Sequence, residues 1–363
     1  MKILLIGQHP LHHAGLSKAA LMIVRGCFDI GHKLEYGFLP SPDHNHSSGV
    51  LKEFDMPCFS ISEVDYIARA KRLNYDLIIS IGDVFNMEPC YTLTTQLAIP
   101  WVAYYGQEGL YYPPFLRTQK INEIINTQLI FESMSGKWTY QDLPHYWEPQ
   151  PYSKVDLRKY LGIDAGKKIA LYIGINNRRK GIDLIVDSLV KSDPNWVAYL
   201  HTSLTNEWGV DLDSLRKQLK LEGRLYFWND LAIAMGVSKM PDSGVQGLYQ
   251  ECDLYYHPHR GEGFGLTIVD ALMSGIRCAV ADVGGPSKYL PKSVKIDADK
   301  LCFVKMMGVQ YVMKEINVVQ PLEKLYKNAP KTHDFKPFTY EQFKDKLKDL
   351  LGQSYKAPLW RSL

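Results

Sequence analysis

The sequence predicts an α/β protein of two doubly wound domains that face each other across a cleft. Its 363 residues exceed the size at which one hydrophobic core keeps growing, so two domains are expected. Short apolar runs alternate with helical patterns in each half of the chain. Strands that are buried on both faces and separated by helices form parallel sheets with right-handed crossovers. A ligand is then expected where both sheets present the carboxyl ends of their strands.

The predicted elements are short strands with helices between them. In the first half the strands are Ile3–Ile6, Asp76–Ile81, Trp101–Tyr105 and Leu129–Phe131, and the helix is Leu16–Arg25. In the second half the strands are Ile169–Ile173, Trp196–Leu200, Leu225–Trp228, Leu254–Tyr256 and Cys278–Ala281, and the helix is Ile182–Val190. Runs this short and apolar are typical of strands inside a parallel sheet.

The boundary between the domains is predicted at His145–Pro151, where prolines interrupt the chain before a new helix, Asp156–Leu161. This divides the sequence into domains over 1–150 and 151–335 and a C-terminal segment over 336–363. Apolar residues at helical spacing predict an amphipathic helix in that last segment, and they are Phe343, Leu347, Leu350 and Leu351.

The composition is that of an ordinary globular protein. Charged residues make up 22% of the chain and the net charge is +3, which is too small to indicate a nucleic-acid partner. The stretch from Lys331 onward holds seven Lys and Arg against four Asp and Glu, typical of a solvated helix face, with peripheral membrane contact as the alternative. No run approaches the roughly 18 apolar residues of a membrane span. Six scattered cysteines without a zinc-type spacing indicate reduced thiols in a cytoplasmic protein.

The most informative stretch is Arg260–Gly275, followed by the turn Gly284–Pro286. It places one carboxylate, Glu262, in a glycine-rich turn and a second, Asp270, eight positions later inside a predicted helix. The first amides of that helix have no partner within it and suit a phosphate. A nucleotide with a sugar attached would use every part of this arrangement. A glycine turn without a ligand is the alternative, and the paired carboxylates make it the weaker one.

Four segments together resemble the motifs of one family. Leu157–Gly162 is similar to the helix that opens the family's second domain, and Tyr172–Asp183 to its diphosphate-binding loop. Glu262–Gly275 resembles its paired-acid motif, and Gly284–Pro286 the turn that follows. The chain thus resembles the retaining glycosyltransferases of family 4, also called glycosyl transferases group 1. The resemblance implies the GT-B architecture, in which two Rossmann-like domains are followed by a C-terminal helix that crosses back to the first.

The resemblance further implies a nucleoside-diphosphate sugar, either a UDP- or a GDP-sugar, as donor, and no obligatory cofactor or metal. Without a metal, cations and amides must absorb the charge of the departing diphosphate. Lys180 and Arg179 stand where a strand gives way to a helix and are the expected cations. The family usually has an arginine directly after the glycine of this strand. Ile175 takes that position here, so Arg178 or Arg179 would substitute, and a solvated loop is the alternative.

The nucleoside and the sugar are assigned by the same resemblance. Asp270, where the family usually has Glu, would accept hydrogen bonds from the ribose, and its shorter side chain requires a closer nucleoside or a bridging water. Glu262 would face the transferred sugar or the catalytic centre. The remaining donor contacts are expected from the amides of Phe264, Gly265 and Leu266, from Thr267, and, by position alone, from Asn229 in a base-contacting loop over Trp228–Asp230.

The first domain would close over the phosphates with the loop that ends at Gly15, before the helix Leu16–Arg25. His12 and His13 are expected to donate to phosphate or acceptor, or to be ordinary surface histidines. The first domain resembles the family only in outline, so these assignments rest on the position of the loop after the opening strand.

A second candidate region follows the strand Trp101–Tyr105. The family often has a histidine there, whereas this chain has Gly106, Gln107 and Glu108. Glu108 or Gln107 would orient the acceptor or stabilise positive charge on the donor sugar, with a loop cap as the alternative. Asp83 is a similar acid at a strand end.

The leading hypothesis is a retaining, metal-independent glycosyltransferase that acts on an acceptor hydroxyl. Asp211–Asp213 and Asp297–Asp299 have the Asp-x-Asp spacing of metal-dependent transferases but lie in polar, helix-like or loop-like segments. A glycosidase is disfavoured because its two carboxylates must flank one scissile bond. The alternatives are a sugar-nucleotide epimerase of the same fold and a binding module without chemistry. The acceptor stays open among glycans, lipids, proteins and small molecules.

Overall fold

A computed structural model describes residues 1–10, 15–39, 48–62, 64–82, 88–105, 128–132, 138–306 and 309–356. These residues form two compact units, each built on its own β-sheet. The first unit contains the described residues up to Trp147 and those from Phe338 onward, and the second contains the described residues of Glu148–Pro337. The predicted fold class, a mixed α/β chain with two Rossmann-like sheets, is confirmed.

The described residues of the first unit form an eight-stranded sheet. Its strands are β1 (Lys2–Gly7), β2 (Lys33–Phe38), β3 (Gly49–Leu51), β4 (Met56–Ser60), β5 (Leu77–Ile81), β6 (Trp101–Tyr105), β7 (Gln128–Glu132) and β8 (Trp138–Asp142), in the order β3-β4-β2-β1-β5-β6-β7-β8. The helices are α1 (Gly15–Asp29), α2 (Tyr66–Leu73) and α3 (Glu88–Leu97). The predicted strand Leu129–Phe131 is present as β7. It does not join the parallel part of the sheet as expected, because β7 runs antiparallel to β6.

Helices cover both faces of this sheet because its central strands have no polar face. In β1, Ile3 and Leu5 belong to one buried cluster and Leu4 and Ile6 to another, as the alternation of side chains along a strand requires. All four are at most 1% exposed. The apolar run at the start of the sequence therefore predicts a strand packed on both sides.

The second unit has a six-stranded sheet that is parallel throughout. Its strands are β9 (Lys168–Ile173), β10 (Trp196–His201), β11 (Leu225–Phe227), β12 (Leu254–His257), β13 (Arg277–Ala281) and β14 (Lys295–Ile296), in the order β11-β10-β9-β12-β13-β14. An antiparallel hairpin consists of β15 (Lys300–Met306) and β16 (Val309–Glu315). The helices are α4 (Leu157–Leu161), α5 (Ile182–Val190), α6 (Leu212–Gln218), α7 (Trp228–Met235), α8 (Asp242–Glu251), α9 (Leu266–Ser274), α10 (Pro286–Tyr289) and α11 (Leu322–Asn328). The strand order reverses between β9 and β12, and doubly wound sheets bind ligands at such a switch point.

Two predicted boundaries in the second unit are corrected by helix caps. The strand predicted over Leu225–Trp228 ends one residue earlier, because Trp228 is the first residue of α7. The Asp230 side chain accepts a hydrogen bond from the Phe227 amide at 2.8 Å and closes that helix start. Asp156 likewise precedes α4 and caps it with its carboxylate instead of lying inside the helix.

The C-terminal helix α12 (Tyr340–Lys356) packs within the first unit, although it follows the second in sequence. Its predicted apolar face is buried, and none of Phe343, Leu347, Leu350 and Leu351 is more than 1% exposed. This face covers α1 closely, since a Cβ built on Gly26 would lie 2.6 Å from Leu347 Cδ2. The helix therefore belongs to the first unit.

The six cysteines lie in described segments, and none of them forms a disulfide. Four are buried, and burial raises the pKa of the Cys27 thiol to about 12. The four buried cysteines thus pack as small apolar side chains. Within the described part of the chain, no helix combines the length and the apolar character needed to cross a membrane.

Candidate functional site

The carboxyl ends of β9 and β12, neighbours at the switch point of the second sheet, carry most of the predicted site. Residues 174–181 follow β9 and residues 258–265 follow β12. Because the two strands are parallel neighbours, both segments emerge at the same edge of the sheet. Lys180 and Glu262, which are far apart in sequence, are thereby brought together.

The two segments touch through their main chains. Gly181 has a φ of +71°, and a Cβ built on it would lie 2.2 Å from the carbonyl oxygen of Pro258, so only glycine permits this approach. The Arg260 amide donates to the Arg179 carbonyl at 2.7 Å. The buried Arg179 guanidinium donates to the Gly261 carbonyl at 2.6 Å. Arg179 therefore ties the two loops together.

Lys180 and Glu262 form an ion pair between these segments. Lys180 Nζ contacts Glu262 Oε2, and the two side chains are 14% and 9% exposed. Burial by itself would raise the pKa of Glu262, but the charges of Lys180 and Arg179 lower it well below the usual value. Glu262 is therefore an anion, and the pair is a neutral unit in nearly dry surroundings.

The turn Gly284-Gly285 holds the backbone of Glu262. The Gly285 amide donates to the Glu262 carbonyl at 2.9 Å. Gly284 has a φ of +63°, and a Cβ there would lie 2.8 Å from the same carbonyl oxygen. A side chain at position 284 would push Glu262 away, so this turn positions the carboxylate.

Arg260 ties the loop after β12 to α5 and to the β15–β16 hairpin. Its guanidinium donates to both carboxylate oxygens of Asp183, at 2.8 and 2.7 Å, and to Glu315 at 2.9 Å. It also donates to the Arg178 carbonyl at 2.6 Å, and only 8% of its side chain is exposed. Arg260 thus organises the loop. Sequence reasoning assigned it no role, because nothing near position 260 indicates which acids it will meet.

Helix α9 begins directly after the glycine turn and carries the second predicted acid. Gly265 is its cap residue, and Leu266 is its first helical residue. The Thr267 hydroxyl oxygen accepts a hydrogen bond from the Tyr255 hydroxyl at 2.9 Å. Asp270 lies half-buried in the second turn of the helix. The helix start and the acid are therefore placed as the motif predicts, with Thr267 fixed by a buried tyrosine.

The other predicted donor contacts are distributed over both units. Phe264 is half-buried and packs on Tyr289, with ring centroids 5.1 Å apart. Asn229 is exposed in the first turn of α7, so the expected base-contacting loop is instead a helix start. Arg178 is exposed in the short turn before α5. Gly15, in the first unit, is the first residue of α1 and not part of a loop.

Five residues of the first domain named as candidates lie outside the described residues: Glu108, Gln107, Asp83, His12 and His13. Their roles stay predictions.

Two buried histidines beside the ion pair were not predicted from the sequence. His257 and His259 are 1% and 0% exposed, and their ring centroids lie 5.1 Å apart. His257 stacks between Tyr172 and Tyr255, at centroid distances of 5.3 and 5.8 Å. None of the four ring nitrogens has a hydrogen-bond partner among the described residues. Burial lowers the pKa of His259 to about 3 and that of His257 well below its usual value, so both rings are neutral.

No group of three or more His, Cys, Asp and Glu side chains that could hold a metal ion occurs in the described segments. Asp211 and Asp213, which have the Asp-x-Asp spacing, belong to the start of α6. Asp211 accepts a hydrogen bond from the Ser214 amide at 3.0 Å, and Asp213 pairs with Arg216 at 2.8 Å. This pair of acids therefore caps and stabilises a helix.

Comparison with protein families gives a match in the second unit. Residues 153–296 match the family described as glycosyl transferases group 1. The chain is also similar to the lipopolysaccharide core biosynthesis mannosyltransferase LpsB of Rhizobium meliloti (strain 1021), with 30% identity over 143 residues. That match covers 39% of this chain and 38% of the relative, so it spans well under half of either protein.

Solved structures share the fold over nearly the whole chain. Sucrose-phosphate synthase from Thermosynechococcus elongatus has a TM-score of 0.68 and 14% identity, over 98% of this chain and 100% of that one. Anabaena HepE in complex with UDP-glucose has a TM-score of 0.63 and 15% identity, over 97% of this chain and 100% of that one. At such identities the likeness concerns the fold alone.

Proposed function

We propose that this protein is a retaining, metal-independent glycosyltransferase that moves a sugar from a nucleoside-diphosphate sugar to an acceptor hydroxyl. The observation that carries the proposal is the nearly buried Lys180–Glu262 pair at the switch point of the second sheet. The group 1 glycosyltransferase match supports it, because the matched residues include both members of the pair. The fold shared with HepE, which was solved with UDP-glucose, is consistent with a nucleotide-sugar donor.

The donor's diphosphate would lie beside Lys180 at the carboxyl edge of the second sheet. Arg179 already donates to the Gly261 carbonyl, whereas Arg178 is exposed in the same turn. We therefore assign Arg178 to the diphosphate and Arg179 to the loop. The amides at the start of α9 would bind the phosphate oxygens, since the positive end of a helix suits an anion.

The rest of a UDP- or GDP-sugar would extend from this point along the second unit. Asp270, half-buried on α9, would accept hydrogen bonds from the ribose, and the exposed Asn229 would contact the base. Glu262 would hold the hydroxyls of the transferred sugar. Two assignments made from the sequence alone complete the proposal: Gly15 would contact the phosphates, and Glu108 would serve the acceptor.

The transfer would proceed on the face of the sugar that the nucleotide leaves, which retains the anomeric configuration. The bond from the anomeric carbon to the phosphate oxygen breaks, and the acceptor oxygen forms the new glycosidic bond. The acceptor proton passes to the departing phosphate. Lys180 and Arg178 would stabilise the charge that develops on that phosphate, which is the role a metal would otherwise fill.

The test uses the full chain with radiolabelled UDP- and GDP-sugars, a panel of glycan, lipid and small-molecule acceptors, and EDTA. We expect transfer with one donor, insensitivity to EDTA and a product of unchanged anomeric configuration by NMR. Lys180→Met should lower turnover by at least about 100-fold, the scale of losing one charge-stabilising group. Lys217→Met is the matched control, because Lys217 is also ion-paired in the second unit but is 68% exposed.

Each result that contradicts the proposal has a distinct meaning. Isomerised donor without transfer would indicate an epimerase. Donor binding without any turnover would indicate a binding module. Full activity of Lys180→Met would remove the catalytic role of the pair.

A further inference from the structure

His257 and His259 have hydrogen-bonding capacity that no described residue uses. A neutral imidazole carries one N–H donor and one acceptor nitrogen. Buried polar groups almost always have a partner, so two neighbouring rings without one need an explanation. The explanation must also account for their location, since both rings experience the charges of Lys180, Arg179 and Glu262.

Two anions would need to interact with the ammonium group of Lys180. In this structure its ammonium group contacts Glu262, and the proposed function needs the same group at the diphosphate. If Lys180 turns to the phosphate, Glu262 stays behind with 9% of its side chain exposed and with Arg179 already bonded to a carbonyl. When a nucleoside diphosphate binds without the sugar whose hydroxyls Glu262 would otherwise hold, a buried carboxylate in that position needs a replacement hydrogen-bond donor.

We propose that His259 is a positioning residue that takes over the Glu262 carboxylate when Lys180 moves to the donor's diphosphate, and that His257 supports it. The inference rests on the proposed function. His257 is fixed in place by the two tyrosine rings that stack on it. His259 packs against His257 and lies three residues before Glu262, in the loop that leads to it. Because His257 is held between the tyrosines, His259 is the ring that would donate the hydrogen bond to the Glu262 carboxylate. A neutral ring supplies an N–H without placing another cation beside Arg179.

The competing arrangement is that Lys180 keeps Glu262 and offers its other N–H groups to the phosphate. The two arrangements differ in the sign of one measurement. If Lys180 leaves Glu262 for the diphosphate, Glu262→Gln releases Lys180 in advance and strengthens the binding of a free nucleoside diphosphate. If Lys180 bridges both anions, Glu262→Gln removes the group that holds it in place and weakens binding.

The experiment measures the Kd of UDP and of GDP by calorimetry for the full chain and four variants. His259→Leu should weaken binding by about 10- to 100-fold, the scale of a lost hydrogen bond to a charged group. His259→Gln, which keeps an N–H donor, should recover most of that loss. Glu262→Gln should bind more tightly than the wild type. Adding His259→Leu to Glu262→Gln should not weaken the binding of UDP or GDP further, because no carboxylate is left for His259 to hold.

A control separates this role from the general cost of losing a buried imidazole. His145 is buried in the first unit, where its Nδ1 lies 2.9 Å from the Tyr104 hydroxyl. His145→Leu should lower the melting temperature without changing the Kd.

The inference is overturned if His259→Leu binds as the wild type does, if glutamine does not rescue it, or if Glu262→Gln weakens binding. The last result needs no histidine variant and stands even if His259→Leu does not fold. If neither UDP, GDP nor their sugars bind the wild type, the proposed function fails and removes the premise. If the wild type binds UDP or GDP and His259→Leu binds it equally well, the role of His259 is overturned and the proposed function stands.

Discussion

Removing Lys180 alone should destabilise the second unit more than removing both members of the Lys180–Glu262 pair. Lys180→Met leaves the Glu262 carboxylate where the two side chains are 14% and 9% exposed. Loss of one partner of a buried pair costs about 3–5 kcal/mol in the free energy of unfolding. Arg179 also lowers the pKa of Glu262 and remains in the variant, so the expected cost is at the lower end, about 3 kcal/mol at pH 7.

The other two variants of this double-mutant cycle should lose less stability. Glu262→Gln should cost about 1 kcal/mol, because a released lysine can extend its ammonium group toward water. The double variant Lys180→Met/Glu262→Gln buries no uncompensated charge and should cost about 2 kcal/mol. The single changes would sum to about 4 kcal/mol, so the coupling free energy is about 2 kcal/mol, within the range for residues in contact.

The same pair determines how the variant responds to pH. In the wild type the pKa of folded Glu262 lies below its unfolded value, so its stabilising contribution is complete above the unfolded pKa and is lost as pH falls through the folded one. In Lys180→Met, burial is opposed by less positive charge and the folded pKa rises. The deficit of the variant relative to the wild type should therefore be largest at neutral pH and shrink as the pH is lowered.

Urea unfolding of the four proteins at pH 7 and at acid pH measures both effects, with the m-value checked for constancy. Lys217→Met is the control, since its partner Asp213 and Lys217 itself are 32% and 68% exposed, and we expect no measurable change. Additivity of the single changes within about 0.5 kcal/mol would refute the coupling. If the stability difference between Lys180→Met and the wild type does not change with pH, Glu262 is not the group that carries the unpaired negative charge in the variant.

Three further predictions concern packing, and urea unfolding measures each. A Cβ on Gly247 would lie 1.9 Å from the Ser153 carbonyl oxygen, so Gly247→Ala should cost about 3 kcal/mol or more, whereas Gly352→Ala, with open space around it, should stabilise by about 0.5 kcal/mol. Arg260→Lys loses the bidentate contact with Asp183 and should cost about 1–3 kcal/mol in the free energy of unfolding, and an unchanged urea midpoint would contradict the role of Arg260 in holding the loop. Phe343→Ala removes a side chain that is 0% exposed and should cost about 3–5 kcal/mol in the first unit.

The strands of the second unit are predictable from the sequence because each is buried on both faces and reads as an uninterrupted apolar run. Ile169–Ile173 and Cys278–Ala281 are examples that appear in the structure as β9 and β13. The antiparallel return of β7 could not be predicted, because the direction of a strand depends on its connection and leaves no mark in its own residues. Glu262 and Lys180 were identified through motifs, whose glycines record the close approach of two loops.

The buried contacts around the pair could not be predicted in the same way. Arg260 meets Asp183 and Glu315 across 77 and 55 residues of sequence, and only the folded sheet brings them together. His257 ends the apolar run of β12 and His259 follows it, and the contacts that bury His257 come from the tyrosines of two adjacent strands. The sequence therefore identifies residues that belong to a recognisable motif. It does not identify residues whose role depends on contacts with residues that are distant in the chain.

Stability alone does not explain the arrangement at the switch point. Replacing a buried ion pair by apolar side chains of similar volume is often neutral or stabilising, so folding does not require Lys180 and Glu262. The two imidazoles beside them add four ring nitrogens without a partner among the described residues, which makes the region still less favourable for folding. A protein keeps such a cluster where the charges act on something else, and departures from local consistency are expected at functional sites. The charges at this edge of the sheet are the ones able to neutralise a leaving diphosphate, so we expect variants in which apolar side chains of similar volume replace both charges and both imidazoles to keep or gain stability as they lose transfer.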